Sequence, residues 1–471
     1  MKRKIIIIIG FFSAFLLFNS CTESYIEGYE ISPNDPVEVL ESNLLSAAEV
    51  AVFGNVTGEL ARLASIFVQS QAGVSNQSLN EQATYQIFEG DNVNDWGSIY
   101  GDWMETAQNL IDQAGDENPY YKGMGLVLKA WAGAFASDTW GDVPFSEALQ
   151  GIDNLNPVFD SQQSIYAAVQ TMLSDGITNL SAAESANKSL PGSDDFIFKG
   201  NVSKWIKMAW VLKARYANRV SKKSTTSADD VLTYLTNAGL TGIEDNAYAK
   251  FGANANNANQ WYAFYQTRTG YMSMGEYFIN KLVANNDPRL PFYSSNKDFR
   301  DTIVGYVGSP VDTRNFNLNA SEIGPLFNGS IKPVPMVTYE EAKFLEAEAY
   351  LRKNNPEAAA SAYNLGVLAS VLAVTGADAP AAFVTSHASK TVADINLETI
   401  MLGKYDALFT QIEVWTDWRR TGLPTLVANP DPMANSGGIP YRLPASIDER
   451  TANANYKGVL NMYQKPYFAE D

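Results

Sequence analysis

From residue 37 onward, apolar positions recur every three to four residues, the spacing of amphipathic helices rather than the alternation of strands. Segments near 37–53 and 56–72 are rich in Ala, Leu and Val, with a Gly54-Asn55 break between them. Segments near 96–114 and 120–137 form a second pair, separated by Gly115 to Pro119. A third pair lies near 161–180 and 201–220, and a fourth near 338–353 and 356–375, joined by Asn354-Asn355-Pro356. Helix pairs of this kind predict a mainly α scaffold of about four tetratricopeptide-like pairs, with long irregular loops and a few short strands.

Local signals sharpen some of these helices. Thr338 and Glu341 fit a capping box, and Trp205, Met208, Leu212 and Tyr216 form one apolar stripe. A further helix is predicted over 404–420, with Tyr405, Leu408, Phe409, Ile412 and Trp415 on one face and a stop at Gly422 and Pro424. The stretches 73–95, 138–160, 243–270, 290–335 and 421–471 break the periodicity and are rich in Asn, Gly, Pro and Tyr. Loops this long in a folded domain are usually functional. A short strand is expected near 303–307.

The N-terminus departs from this pattern. Lys2, Arg3 and Lys4 precede the apolar run from Ile5 to Phe18, which ends at Asn19-Ser20-Cys21. A basic start, a short apolar stretch and a sharp polar end describe a secretory signal. Cys21 is the only cysteine, so no internal disulfide or cysteine zinc site is available. A lone cysteine directly after a signal is the residue that bacterial lipoprotein processing acylates, although Phe18 and Asn19 stand where a leucine and a small residue are usual. The expected organisation is a signal peptide over 1–20, a lipidated tether over 21–36 and one helical domain over 37–471. No later apolar run stands out as a membrane span.

Removing residues 1–20 takes away three cations and no acid, so the formal charge of −18 becomes −21. That charge repels nucleic acid, and it favours neutral or basic ligands over acidic ones. The single histidine, His387, lies in a Ser/Thr/Ala loop. Histidine-rich metal sites and Ser-His-Asp chemistry find no support, and no cofactor is expected.

Six ordered blocks carry a family resemblance. Pro335 to Ala349, with Thr338-Tyr339-Glu340-Glu341 and Phe344-Leu345-Glu346-Ala347-Glu348-Ala349, resembles the Thr-Tyr-x-Glu signature helix of the SusD/RagB family. Ser137 to Ala148 is similar to that family's Thr-Asp-x-x-Gly-Asp-x-Pro-Tyr block, with Ser137 and Phe145 as departures. Phe198 to Arg219, Asn286 to Leu290, Trp415 to Pro424 and Ile439 to Tyr456 match further blocks, Tyr441 and Ala445 departing in the last. The resemblance implies a surface-exposed outer-membrane lipoprotein of Bacteroidetes-type bacteria. It implies a non-catalytic lid on a SusC-like, TonB-dependent barrel that delivers glycans or, in some members, peptides.

A sugar binder without catalysis needs flat aromatic platforms and amide or carboxylate partners on loops. Two stretches supply them, in the regions where the family places its substrate loops. One holds Asn76, Tyr85, Asn92 and Trp96; the other holds Trp261, Tyr262, Tyr265, Arg268 and Tyr271. Two readings stay open for the aromatics, as ligand platforms or as core packing on short helices. Asp138, Asp142 and Glu147 could form the acid pair of a surface glycoside hydrolase, but that chemistry needs a set separation across a sugar. Turn stabilisation is the simpler reading. A RagB-like peptide importer subunit and a purely scaffolding solenoid also fit the helical pattern and the loops.

Overall fold

The computed structural model describes residues 39–431, 433–434, 437–457 and 461–471. The expected signal peptide and the whole of the expected tether, Cys21 included, lie outside the described residues. Helix α1 (Glu41–Thr57) runs straight through Gly54-Asn55, with Asn55 Nδ2 donating to Ala51 O at 2.9 Å. The break comes instead at Gly58, followed at once by α2 (Glu59–Phe67). One residue cannot reverse the chain, since a helical hairpin needs about two to five in its loop. The first expected antiparallel pair is therefore an interrupted helix.

The second expected pair is present. A π-helical turn, Ser98–Glu105, leads into α3 (Thr106–Ala114), and Pro119 opens α4 (Pro119–Trp140) as a residue that has no amide to leave unpaired. Trp103 meets Trp131 edge-on across the pair, centroids 5.6 Å apart. After β2 (Val143–Pro144) and β3 (Phe159–Asp160), α5 (Gln162–Leu180) packs on α4. The close fit is set by Gly123 and Gly176. A Cβ at Gly123 would lie 2.9 Å from the Gly176 carbonyl and 2.7 Å from Leu180 Cγ.

Helix α6 (Val202–Arg219) touches α5, but its main partner is α7 (Ser227–Ala238), an element absent from the expected pairs. Ala228, Val231, Leu232 and Leu235 stand at helical spacing and carry its signal in the sequence. Then come β4 (Ala247–Ala249), α8 (Gln260–Thr267), β5 (Met272–Met274), α9 (Glu276–Ala284) and β6 (Val334–Val337). Helices α10 (Tyr339–Arg352) and α11 (Pro356–Thr375) make the fourth expected pair, turned by Asn354 in the left-handed region at φ 55°. Phe344 meets Tyr363 across it at 5.8 Å. The helix expected over 404–420 is two: α12 (Leu397–Ala407) and α13 (Glu413–Thr421). Thr410, at φ 75°, interrupts them, while Leu408, Phe409 and Ile412 stay buried.

The strands form three separate two-stranded antiparallel ribbons, β1 (Gln71–Gly73) with β5, β2 with β3, and β4 with β6. Near 303–307 there is only an isolated bridge between Lys297 and Ile303. Residues Glu41–Asp471 pack as one unit. Two stretches, Glu41–Phe67 and Pro356–Thr375, have the length and composition to cross a bilayer, yet both are packed against the fold. Apolar helices at the centre of a large core read this way.

A buried polar spine joins the layers. Arg215 forks onto Glu341, its Nε and Nη2 donating at 2.7 and 2.6 Å. Arg219 donates to both oxygens of Asp138 at 3.0 Å and to Glu413 at 2.7 Å. Arg419 donates to the Asp138 carbonyl, and Arg420 grips Glu348 at 2.5 and 2.7 Å. Thr338 does cap α10, accepting from Glu341 N at 3.2 Å. The Glu341 carboxylate turns inward to Arg215 instead of closing the capping box.

Candidate functional site

The two loop stretches predicted to carry a ligand meet in space. Strand β1 pairs with β5, Gln71 opposite Met274 and Gly73 opposite Met272. The ladder extends past its end, where Val74 N donates to Tyr271 O at 2.8 Å and Ser75 Oγ donates to Gly270 O at 2.7 Å. Gly73 lets the chain fold back, because a Cβ there would lie 1.9 Å from the Ser78 carbonyl. Asn76 takes the left-handed turn position at φ 49°, a conformation asparagine tolerates. A π-helical turn, Ser78–Gln82, then lies beside α8.

Between them is a cleft of about 260 Å³, lined by Glu59 and Arg62 of α2, Gln77 and Gln82 of the first loop, and Gln260, Phe264 and Arg268 of the second. Its floor is the Arg62 guanidinium, stacked 4.6 Å above the Phe264 ring. The amide side chains of Gln77, Gln82 and Gln260 make no hydrogen bond among the described residues and stand free for a ligand. Uncommitted amides around a guanidinium laid on an aromatic ring suit a polyol ligand.

The predicted residues divide sharply. Arg268 and Asn76 are exposed, and Tyr262 and Tyr271 half-buried. Arg268 lies 5.5 Å over the Tyr271 ring. Trp261, at 0% exposure, and Tyr265, at 3%, lie in the core. Asn259 caps α8, accepting from Trp261 N at 2.8 Å and Tyr262 N at 3.1 Å, and this phase turns the Trp261 and Tyr265 rings inward. The Tyr265 hydroxyl donates to Gln71 Oε1 at 2.9 Å. Trp96 stacks on Tyr100 at 4.9 Å and lies 4.7 Å from Trp140. Tyr85 is sealed against Phe67, its hydroxyl accepting from Asn429 N at 3.1 Å, and burial pushes its pKa up to about 12. Asn92 is buried and donates to Phe88 O at 3.1 Å. In this conformation Trp96, Trp261, Tyr265, Tyr85 and Asn92 offer no open face to a ligand. The apolar period that would place them inside is masked by their loop-like neighbours.

Arg62, Phe264, Gln77 and Gln82 are cleft residues that sequence reasoning passed over. The one signal for them was a lone cation at Arg62 in the apolar helix ELARLASIF.

A larger, shallower groove of about 770 Å³ opens at the other end of the ribbon, between Gln69, Gln71, Tyr277, Asn280 and Asp312. None of the predicted residues lines it. The smaller cleft is the better candidate, because it joins both loops and holds unpaired polar groups.

The carboxylates considered for hydrolysis are engaged elsewhere. Asp138 is buried in the spine and also accepts from the Tyr166 hydroxyl at 2.6 Å. Asp142 accepts from Gln162 N at 3.1 Å, and Glu147 from Val158 N at 3.2 Å, bonds that tie this segment to chain much further along the sequence. His387 ends a short helix, Ala381–His387, stacked 4.6 Å from Phe383. Among the described residues no group of three or more His, Cys, Asp or Glu is placed to hold a metal.

Fold and cleft together define a helical-repeat scaffold that presents a loop-built polar cleft. Residues 33–444 match the SusD-like family described as starch-binding and associating with the outer membrane, and the chain belongs to that family. In structure it is similar to a SusD/RagB family protein from Bacteroides thetaiotaomicron, with 23% identity, 92% of this chain and 99% of that one covered, and a TM-score of 0.74. It is also similar to a chitin-binding SusD homologue from Flavobacterium johnsoniae, at 19% identity, 91% and 99% coverage and a TM-score of 0.78. A SusD homologue from Bacteroides vulgatus gives 21%, 91% and 97%, and 0.78. At these identities the likeness is one of fold. No curated protein matches the sequence.

Proposed function

We propose that this chain is a non-catalytic, lipid-anchored protein of the outer-membrane surface that captures oligosaccharide and passes it to a SusC-like, TonB-dependent barrel. The observation that carries the reading is the cleft, where two loops almost two hundred residues apart in sequence bring free amides together around an arginine stacked on an aromatic ring. Family membership and the chitin-binding relative support a glycan as the ligand. The engaged state of Asp138, Asp142 and Glu147 supports binding without hydrolysis.

Calorimetric titration with malto- and chito-oligosaccharides and with short peptides tests the ligand class. In the double variant Gln77→Ala/Gln260→Ala, affinity for the bound sugar is expected to fall by about tenfold or more, since each lost hydrogen bond contributes about 1 kcal/mol. Unchanged affinity in a folded variant would move the site to the larger groove. Peptide binding without sugar binding would favour a RagB-like importer subunit, and release of reducing ends would make the protein an enzyme.

The anchor has its own test. A fatty-acid probe fed to producing cells is expected to label the wild type and not Cys21→Ala. Equal labelling of the two, or none in either, removes the lipoprotein reading.

A further inference from the structure

The arginines of the described residues are almost all spoken for. Arg215, Arg219, Arg289 and Arg420 meet buried carboxylates, and the more exposed Arg300, Arg314, Arg352 and Arg450 also pair with acids. Arg419 and Arg442 each donate to two backbone carbonyls. Two remain, Arg62 and Arg268, and both line the 260 Å³ cleft.

Arg62 has one hydrogen bond among the described residues, to the Gln260 carbonyl at the long distance of 3.5 Å. A guanidinium carries five donors, so most of its capacity is unused. Among the described residues the Arg268 guanidinium makes only the contact over Tyr271. Burial holds the Arg62 pKa below its usual value; Glu59 and Asp95 oppose this, and the nearby Arg268 cation adds to it. Glu59 is the one carboxylate on the cleft wall, and it forms no ion pair with either arginine. Asp95, just beyond, is pushed up to about 7 by burial and by Glu59, so at neutral pH it supplies only part of a negative charge.

We infer that the cleft is built for an acidic oligosaccharide, whose carboxylate or sulfate group is gripped between Arg62 and Arg268 while Gln77, Gln82 and Gln260 take neighbouring hydroxyls. Guanidinium forks match both oxyanions, because each presents two coplanar acceptors. This rests on the glycan reading above. It reverses the expectation drawn from net charge: the chain as a whole is strongly acidic, but the field a bound group feels is set by the nearest charges, two arginines against the single carboxylate of Glu59.

The test titrates the full chain with oligogalacturonate, with its carboxyl-reduced neutral form, with a sulfated galactan oligosaccharide of equal length and with an acidic peptide. One acidic sugar is expected to bind at least about tenfold more tightly than the neutral form, the advantage shrinking in high salt. Which of the two does so identifies the oxyanion. In Arg62→Gln and Arg268→Gln the acidic-to-neutral affinity ratio is expected to fall towards one. Arg268 is exposed, so its variant keeps the test alive if Arg62→Gln fails to fold. Equal binding of neutral and acidic sugars, with ratios unmoved in the variants, overturns the inference and leaves the glycan reading standing. Binding of the peptide and of no sugar overturns both.

Discussion

Arg219→Met is expected to lower folding stability by about 3–5 kcal/mol, the loss typical of removing one partner from a buried ion pair. Arg219 is 2% exposed and holds three carboxylate contacts, two to Asp138 and one to Glu413. Methionine fills much of the same volume, so the packing loss is small. What remains is two carboxylates, both buried, with half their compensation gone. Arg215 still reaches Glu413, but at 3.6 Å, and Arg419 addresses the Asp138 backbone rather than its carboxylate. Urea unfolding of the two proteins measures the difference. Lys122→Met makes the control, since its bridge to the almost fully exposed Asp116 is screened by water and should contribute little. If the two variants lose similar amounts, the spine does not hold the layers together.

The spine also explains which parts of the fold were legible. Asp138, Arg219, Glu341, Glu348, Asp417 and Arg420 come from four of the blocks that carried the family resemblance. They lie far apart in sequence, yet converge where α4, α6, α10 and α13 meet. A buried charge tolerates few replacements, because its partner is left unpaired. Such positions therefore stand out as motifs in a single sequence. Helix pairs joined by a short Gly, Asn or Pro break, α3 with α4 and α10 with α11, were equally readable.

The failures have physical causes of their own. The break in the first helix falls at Gly58, where a Cβ would lie 2.2 Å from the Gly54 carbonyl one turn earlier, a local backbone approach that hydrophobic periodicity does not carry. Thr410 splits 404–420 while leaving every apolar residue of the stripe buried, so burial was predicted correctly and continuity was not. At the cleft, the two regions were legible from composition and their meeting was not, because it depends on three residue pairs in one ribbon. Aromatic content drew attention to Trp261 and Trp96, which the helix phase set by Asn259 and the Trp140 contact turn inward. The groups left facing the cleft are amides and cations, which composition alone does not separate from ordinary surface.

Glu340→Gln is expected to stabilise the protein by about 2–3 kcal/mol at pH 8 and to change little at pH 4.5, a difference set by the linkage between protonation and folding. Glu340 sits in the first turn of α10, 4% exposed, and accepts one hydrogen bond from Asn246 Nδ2 at 3.1 Å. Its neighbour Glu341 takes Arg215, and among the described residues no cation pairs with Glu340. Burial therefore dominates and pushes its pKa from 4.5 to about 7, the bonds from Asn246 and Thr338 recovering only part. The folded protein holds this proton to a higher pH than the unfolded chain does. Stability is accordingly lost as pH rises from about 4.5 through 7, and the loss is complete above that window. Glutamine keeps the shape and an acceptor for Asn246 without the charge. Glu348, Glu413 and Asp417 act with the opposite sign, since arginines and Lys404 hold their pKa values down and their contribution is lost only under acid. They are common to both proteins and cancel in the comparison. Urea unfolding of wild type and variant at pH 4.5 and pH 8 gives the answer: a gap between them that does not widen with pH would mean that Glu340 is ionised in the fold at both.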